Sequence, residues 1–600
     1  MPKSLQIILL SVILILAGLL RIAYISEYRH TQVYPVLEQS DSEAYYFWAK
    51  DILSGDFGDK AFMKWPFYAF FLGFSFLFLG FNPATIYFLQ FILGLASCFL
   101  VFLIGRKMFD ARVGLVSAFL CSFYGLFIFY ENLLVYTSLS TFLNLLLFFF
   151  LLQIKDNLSK KNILLFGILL GICTLTQANI ALFGILAVAW LLIRNKTNLR
   201  KSASLLVCFL AGLVLIVGAV TLRNYIVEKD FVPIAGNLGF NFYSGNNPQA
   251  TGTFYSPESV TFNQEDMFRD ARIIAENAAG RQLKTSEVSN YWLGKSFDFI
   301  RHNPDQYLKL MLKKTLYVFG AREIVHDIEY KFIQDKIRVF KFTLFDLRFI
   351  LPFIIFGVVL GLRRIRESMP LYLVVITLAF SIVLFFVTAR YRISIVPFLM
   401  IFAGLGIIYL WEMLKARNFS RLILLIVLMI AIFFLGNIKW ARGTKYSLFE
   451  HHMSLARECE SKQDFKNAMQ ELNLASQVEP QNRRAIFRLA VIYHRLNDLA
   501  NAESGYKEVI KVSPLSVDAY YNLGLIYNQE QRYLEAVEVL KQVVNLDPDD
   551  ARAHFELGIA YQASGRVKEA KEEFTLALAK INRWRKADRD TIKEKLANLK

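Results

Sequence analysis

Long apolar runs separated by short, mostly basic loops fill the chain up to about residue 440, and beyond it the amphipathic rhythm of packed helices takes over. Runs at roughly 5–23, 84–104, 113–130, 133–153, 163–177, 180–193, 203–222, 344–361, 369–387, 393–411 and 421–438 have the character of bilayer-crossing helices, about eleven in all. The run from Pro66 to Phe81 falls short of the roughly 20 residues that a perpendicular crossing needs. If it does not cross, the basic loops at 106–112, 155–161, 194–201, 363–367 and 415–421 all share the cytoplasmic side, as the positive-inside rule requires; if it crosses, they all move outside. It is therefore expected to lie on the outer face as an interfacial or re-entrant helix. By the same rule the run 162–193, basic at both ends, crosses twice and turns at Thr176, Gln177, Ala178 and Asn179.

This topology keeps the N-terminus inside and puts residues 24–83, 223–343, the segment TARYR (388–392) and everything after Trp440 outside. In a bacterium that side is the periplasm, and the membrane is the inner one. The apolar run from Leu5 to Leu20 follows a short basic start and has no small-residue cleavage site, so it reads as an uncleaved first span.

In the tail, Pro480, Pro514 and Pro548 recur every 34 residues, the tetratricopeptide period. Small and large residues fall at matching places: Leu489, Ala490, Tyr493, Ala502 and Tyr506 in one unit, Leu523, Gly524, Tyr527, Ala536 and Leu540 in the next. A degenerate first unit (Leu455, Ala456, Ala468, Leu472) and a fourth (Leu557, Gly558, Tyr561, Ala570, Phe574) make four repeats, with a charged capping helix from about 583 to 600. The expected fold is all-α: a polytopic transmembrane bundle over 1–440, then a tetratricopeptide solenoid over 441–600.

Composition agrees, with 55% hydrophobic residues, 55 Phe and a mean hydropathy of +0.39 over 600 residues. The net charge of +17 would suit nucleic acid, but the lysines and arginines cluster in short loops where membrane topology explains them, so no nucleic-acid partner is expected. Cys98, Cys121, Cys173 and Cys208 sit in apolar runs and Cys459 is alone in the tail, which offers neither a disulfide framework nor a zinc site. His302, His326, His451 and His452 lack ligand spacing, and no metal is assigned from them.

Candidate chemistry gathers at charged positions beside lipid. Asp41, in QSDSEAYYFWAKDILSGD just past the first span, is a carboxylate that is costly there unless water, a partner or chemistry requires it. Its plainer reading is a helix N-cap, and Glu43 suits the first turn of that helix. Lys64 before Trp65 and Pro66, Arg223 in TLRNY, and Arg390 and Arg392 in TARYR are basic on the side where basic residues are scarce. Each alone fits a snorkelling side chain. Together with Asp41 they make the cationic set that a lipid-linked phosphate or pyrophosphate requires, Arg supplying bidentate donors and Lys a point charge. Glu131 in YENLLVYTS is a second acidic group at the outer end of a span, either an interfacial cap or an accessory group. The loop at 236–255 brings Asn237, Asn241, Tyr243, Asn246 and Asn247, which suit hydroxyl bonding and ring stacking with a sugar or acceptor, and equally an ordinary turn-rich loop.

The segment around Asp41, Tyr45 and Ala49, then KWPFY, then GRKMFDARVGLVSA, then ARYRISIVPFLMIFAGLG resemble, in this order, the GT-C glycosyltransferases, nearest to the protein O-mannosyltransferases and the lipid A aminoarabinose transferases. The resemblance covers about 1–440, and tetratricopeptide tails also occur among related O-mannosyltransferases. It implies transfer of a sugar from a polyprenyl-phosphate donor to a protein, lipid or glycan acceptor on the outer face, with inversion. Asp41 would then be the catalytic base, Lys64, Arg390 and Arg392 the donor-phosphate ligands with Arg223 beside them, and the solenoid the docking surface for a protein partner or acceptor. Two departures bear on the substrate: Ser42 stands where the mannosyltransferases place a second acidic residue, and the lysine segment has one proline, Pro66. Members differ in metal use, so a divalent metal, with Glu131 as a ligand, stays open. Two other readings are an O-antigen ligase or polymerase, which would place catalysis in a late external loop, and a non-enzymatic membrane-anchored repeat scaffold.

Overall fold

The computed structural model describes residues 1–30, 41–58, 60–257, 264–320, 324, 334, 337–342, 347–417, 419–437, 445–480, 482–548, 550–580 and 586–597. The chain forms two compact units: Met1–Tyr255 with Ala278–Arg442, and Ser256–Asn277 with Gly443–Lys600. The boundary expected at 440 and 441 lies outside the described residues. Among the described residues all regular structure is helical.

The first unit contains α1 (Lys3–Arg29), α2 (Asp41–Leu53), α3 (Phe67–Leu79), α4 (Pro83–Met108), α5 (Ala111–Ser122), α6 (Gly125–Tyr130), α7 (Thr137–Ile154), α8 (Lys160–Thr176), α9 (Ala181–Arg194), α10 (Leu199–Glu228) and α11 (Leu238–Gly245). The helix α12 (Gln264–Ala279) runs into the second unit's segment, and the first unit resumes with α13 (Thr285–His302), α14 (Pro304–Phe319), α15 (Leu347–Leu362), α16 (Ile365–Leu384), α17 (Ala389–Arg392), α18 (Val396–Lys415) and α19 (Phe419–Asn437).

Six of these, α1, α4, α7, α10, α16 and α18, are long and apolar enough to cross a membrane. Shorter apolar helices include α3, α5 and α15. Because lipid offers no hydrophobic drive between helices, close approach depends on small residues. The α8–α10 crossing uses Gly167 and Gly212, where an added Cβ would lie 2.3 Å from the carbonyl oxygens of Phe209 and Leu164 respectively.

One expected span and one expected loop differ in the structure. The run 113–130 is two helices, broken at Phe123 and Tyr124, where the Arg21 guanidinium donates to the Ser122 carbonyl at 3.4 Å. The turn-rich loop at 236–255 is partly helical, as α11. The run from Pro66 to Phe81 contains the 13-residue α3, and the 162–193 run is two short helices joined by a 3-10 turn at Ala178–Ile180.

The second unit is a stack of helix pairs: α20 (Lys445–Ser461) with α21 (Phe465–Val478), α22 (Arg483–Arg495) with α23 (Leu499–Val512), α24 (Val517–Gln529) with α25 (Tyr533–Leu546), and α26 (Ala551–Ala563) with α27 (Val567–Ala579), followed by α28 (Lys586–Ala597). Ala490, Ala502, Tyr506, Leu523, Ala536, Leu540, Leu557, Ala570 and Phe574 share one buried core. The turn inside each pair needs a left-handed residue, supplied by Gln463, Asn497, Gln531 and Gly565 at φ of 58°, 59°, 61° and 77°. The inserted α12 buries Met267, Ala271 and Ala275 at four-residue steps, and Arg269 pairs with Asp547 at 3.4 Å.

Candidate active site

Asp41 is the first residue of α2, where the unpaired N–H groups of a helix start favour a carboxylate. Beside it, the Ser42 hydroxyl accepts from the Leu134 N–H at 3.1 Å and ties the start of α2 to the 131–136 segment. Gln90 holds that same segment by donating to the Glu131 and Leu133 carbonyls, each at 2.9 Å.

Lys64 sits on a stretch stapled by the end of α10. Arg223 donates to the carbonyls of Lys60 (2.6 Å), Gly58 (2.8 Å) and Phe57, and its guanidinium lies 4.0 Å over the Phe62 ring. The next residue, Asn224, accepts through its side chain from the Phe62 N–H (3.2 Å), and further along α10 Glu228 accepts from the Ala61 N–H (2.9 Å).

Arg390 belongs to the four-residue α17 between α16 and α18. Thr388 caps that turn by accepting from the Tyr391 N–H, and the Ser394 hydroxyl bonds to Gln177 at 3.0 Å. Gly245 of α11 packs so closely below it that a Cβ would come within 1.8 Å of the Phe385 carbonyl oxygen, so no side chain fits there. Arg392 points elsewhere, donating to the carbonyls of Tyr317 (3.2 Å) and Gly320 (2.8 Å).

These segments bring one carboxylate between two cations. Lys64 Nζ donates to Asp41 Oδ1 at 2.8 Å, and Arg390 Nη1 donates to Asp41 Oδ2. The side chains are 6% (Asp41), 15% (Lys64) and 10% (Arg390) exposed, so the group is nearly dry. Burial by itself would push the Asp41 carboxyl up, but the Lys64 ammonium and the Arg390 guanidinium outweigh it and hold the group below the usual carboxylate range. Burial raises the Tyr45 phenol far above its ordinary value, and the Asp41 charge adds to the effect.

Aromatic rings surround the triad. Lys64 lies 5.6 Å over the ring of Tyr45, and Arg390 lies 5.6 Å over Tyr136 and 6.0 Å over Tyr391. Trp65 contacts both Tyr136 (5.1 Å between centroids) and Tyr391 (6.3 Å). Sequence reasoning quoted Tyr45, Trp65, Tyr136 and Tyr391 within its motifs but gave none of these rings a place around the charges.

The remaining candidates stand apart from the triad or serve the backbone. Glu131 is fully buried in a two-bond pair with Arg21, a partner that the sequence reading did not connect to it. Glu43 lies in the first turn of α2 and is partly buried. Asn246 donates to the carbonyls of Phe242 and Leu384, both at 2.8 Å, and accepts from Lys314 at 2.8 Å. Asn247 donates to the Tyr243 carbonyl and accepts from the Gln249 N–H, both at 2.8 Å. Asn237 precedes α11 and its carbonyl accepts from the Asn241 N–H, while the Tyr243 ring packs at a tilt of 52° against Trp292, with centroids 4.8 Å apart. Among the described residues no group of three His, Cys, Asp or Glu gathers in a way that would hold a metal ion.

Residues 59–221 match the family described as dolichyl-phosphate-mannose-protein mannosyltransferase, and residues 484–514 and 524–565 match tetratricopeptide repeat families. The chain carries a GT-C-type membrane glycosyltransferase domain and tetratricopeptide repeats. The matched glycosyltransferase segment includes Lys64, Glu131 and the start of Arg223's helix, and Asp41 and Arg390 lie on either side of it. Solved structures with some likeness include MamA from Desulfovibrio magneticus RS-1 (21% identity, TM-score 0.23, covering 25% of this chain and 93% of that one). Another is PilF from Pseudomonas aeruginosa (20% identity, TM-score 0.23, covering 26% and 68%). No curated protein matches the chain. The repeats of this glycosyltransferase are of the kind that binds proteins.

Proposed function

We propose that the chain moves a sugar from a polyprenyl-phosphate donor to an acceptor hydroxyl on the outer face of a bacterial inner membrane, with Asp41 as the base. The observation that carries this reading is the Asp41 carboxylate clamped between Lys64 and Arg390. One anion between two cations leaves a single positive charge in a nearly dry pocket, which matches the single negative charge of a polyprenyl phosphodiester.

The chemistry balances on the same charges. The acceptor hydroxyl gives its proton to Asp41 while its oxygen bonds to the anomeric carbon from the face opposite the phosphate, inverting it. The carbon–oxygen bond to phosphate breaks and its electron pair stays on the departing polyprenyl phosphate. That product carries more negative charge than the donor, and Lys64 and Arg390, no longer shared with an ionised Asp41, take it up.

An aspartate held below the usual range is a weak base. When donor phosphate engages Lys64 and Arg390 their hold on Asp41 loosens, and burial lifts the carboxyl toward a value suited to accepting a proton. Arg223 and Arg392 spend their donors on backbone carbonyls and act as positioning residues for the segments that bear Lys64 and Arg390. In this reading the repeats recruit a protein or glycan acceptor in the periplasm.

The test is reconstitution in liposomes with a panel of polyprenyl-phosphate sugars, following transfer to an acceptor. Asp41→Asn should lower turnover by about 10² to 10⁴, the usual worth of a general base. Turnover by that variant near the parent rate would favour a ligase-type chemistry based elsewhere, and a blank panel would favour the scaffold reading.

A further inference from the structure

The helix α14 has two unlike faces. Leu310, Lys314, Tyr317 and Val318 are buried. On the other side Leu308, Leu312, Leu316 and Phe319 are 65%, 64%, 39% and 42% exposed. Their spacing of four, four and three residues makes them one stripe. Lys309 and Lys313 follow the first two leucines and run along one edge of that stripe, both exposed.

The buried face is fastened at a definite height. Lys314 Nζ donates to the Phe385 carbonyl at 2.6 Å and to Asn246 Oδ1 at 2.8 Å, and Arg392 holds the carbonyls of Tyr317 and Gly320. Phe385 is the C-cap of α16, one of the helices long and apolar enough to cross the membrane, and Arg392 ends the turn that follows it. The leucine stripe is thus bonded, through the body of α14, to the point where a crossing helix leaves the bilayer. Apolar side chains at that level meet acyl chains, and lysines on the edge of the stripe reach phosphate headgroups.

We propose that α14 is a bilayer-surface helix, with Leu308, Leu312, Leu316 and Phe319 sunk into the acyl boundary and Lys309 and Lys313 on anionic headgroups. The helix is about 24 Å long at 1.5 Å per residue, enough to lie across several lipids. Through Arg392 it ties the lipid surface to the turn that presents Arg390, so lipid contact bears on the geometry of the triad. The proposal concerns bulk phospholipid and stands whether or not Asp41 is a base.

The test places photoreactive p-benzoylphenylalanine at position 312 or 316 of the full chain in liposomes of phosphatidylethanolamine and phosphatidylglycerol that contain no polyprenyl lipid. Exposed Gln282, off the stripe, is the control position. Irradiation should give phospholipid adducts, read by mass spectrometry, at 312 and 316 several-fold above those at 282. Lys309→Gln and Lys313→Gln should each lower the phosphatidylglycerol share by about fivefold, the worth of one lysine at an anionic surface. All variants should keep the parent thermal transition, which separates lost lipid contact from lost folding. Lipid adducts at 312 and 316 no more abundant than at 282 would overturn the proposal. Adducts to a second protein chain would do the same and make the stripe a protein interface.

Discussion

Arg21 and Glu131, 110 residues apart in the chain, face each other through two hydrogen bonds of 2.7 and 2.8 Å with almost no exposure to solvent. The same guanidinium also reaches the Ala17 and Ser122 carbonyls, so it joins α1 to the break between α5 and α6. Removing one partner of such a pair strands the other charge and costs about 3–5 kcal/mol, whereas replacing both by apolar residues is often neutral. Glu131→Gln should therefore lower the thermal transition in detergent sharply, and Arg21→Met with Glu131→Leu should recover most of the loss. A single variant as stable as the parent would show that the pair does not hold this bend.

The two cations on Asp41 make its acid behaviour a readout of the triad. Lys64→Met removes one of them, so the carboxyl should rise and the acid limb of kcat/KM against pH should move upward. On the proposed reading Lys64 is also a phosphate ligand and the overall rate falls with it, so the position of the limb is the diagnostic quantity. An unchanged limb would mean that some other group titrates there. In stability the sign is the opposite of a buried neutral acid: a depressed aspartate contributes above its unfolded value of about 3.9 and loses that contribution as pH falls through the folded value. The stability difference between the parent and Asp41→Asn should accordingly stay flat from about pH 5 to 8 and change only in stronger acid.

Lys314 titrates in an accessible range. Burial brings its ammonium down to about 7. An unfolded lysine near 10.4 binds a proton that the folded one has released, so stability should rise with pH between about 7 and 10, by at most about 1.4 kcal/mol per unit, and level off below 7. Lys314→Met should lack this slope. Thermal unfolding across that pH range, parent against variant, measures it.

In the repeat unit, Arg269 of the inserted helix and Asp547 after α25 are 22% and 25% exposed and 3.4 Å apart. Such a pair contributes at most about 1 kcal/mol, but it is placed to decide how tightly the segment 256–277 is held. Arg269→Asp or Asp547→Arg should speed proteolytic cleavage within that segment, and the double reversal should slow it again. Equal cleavage in all four proteins would show that the pair is incidental.

The apolar runs and the 34-residue period made the helices and the repeat stack readable, because both follow from periodicity along the chain. Asp41, Lys64 and Arg390 stood out singly as charges near lipid. Their meeting was expected from the shared side of the membrane and the family resemblance, not from any local pattern, since Asp41 and Arg390 are 349 positions apart. Arg21 was passed over for the same reason: inside an apolar run it looks like the end of a span. The break at Phe123 has no proline to announce it, and it coincides with a side chain arriving from α1. Asn246 and Asn247 looked like sugar ligands, but a short helix formed in their loop and their amides went to its last carbonyls.

The grouping of residues 256–277 with 443–600 means that the chain threads from one unit to the other three times. Cutting before residue 443 would not simply subtract the repeats: it would leave α12 behind, severed from the helices with which it folds. An isolated tail would carry the complementary defect. Separating the two units therefore calls for paired excision of both segments, because a cut at the first repeat alone would confound removal of the repeats with damage to the loop.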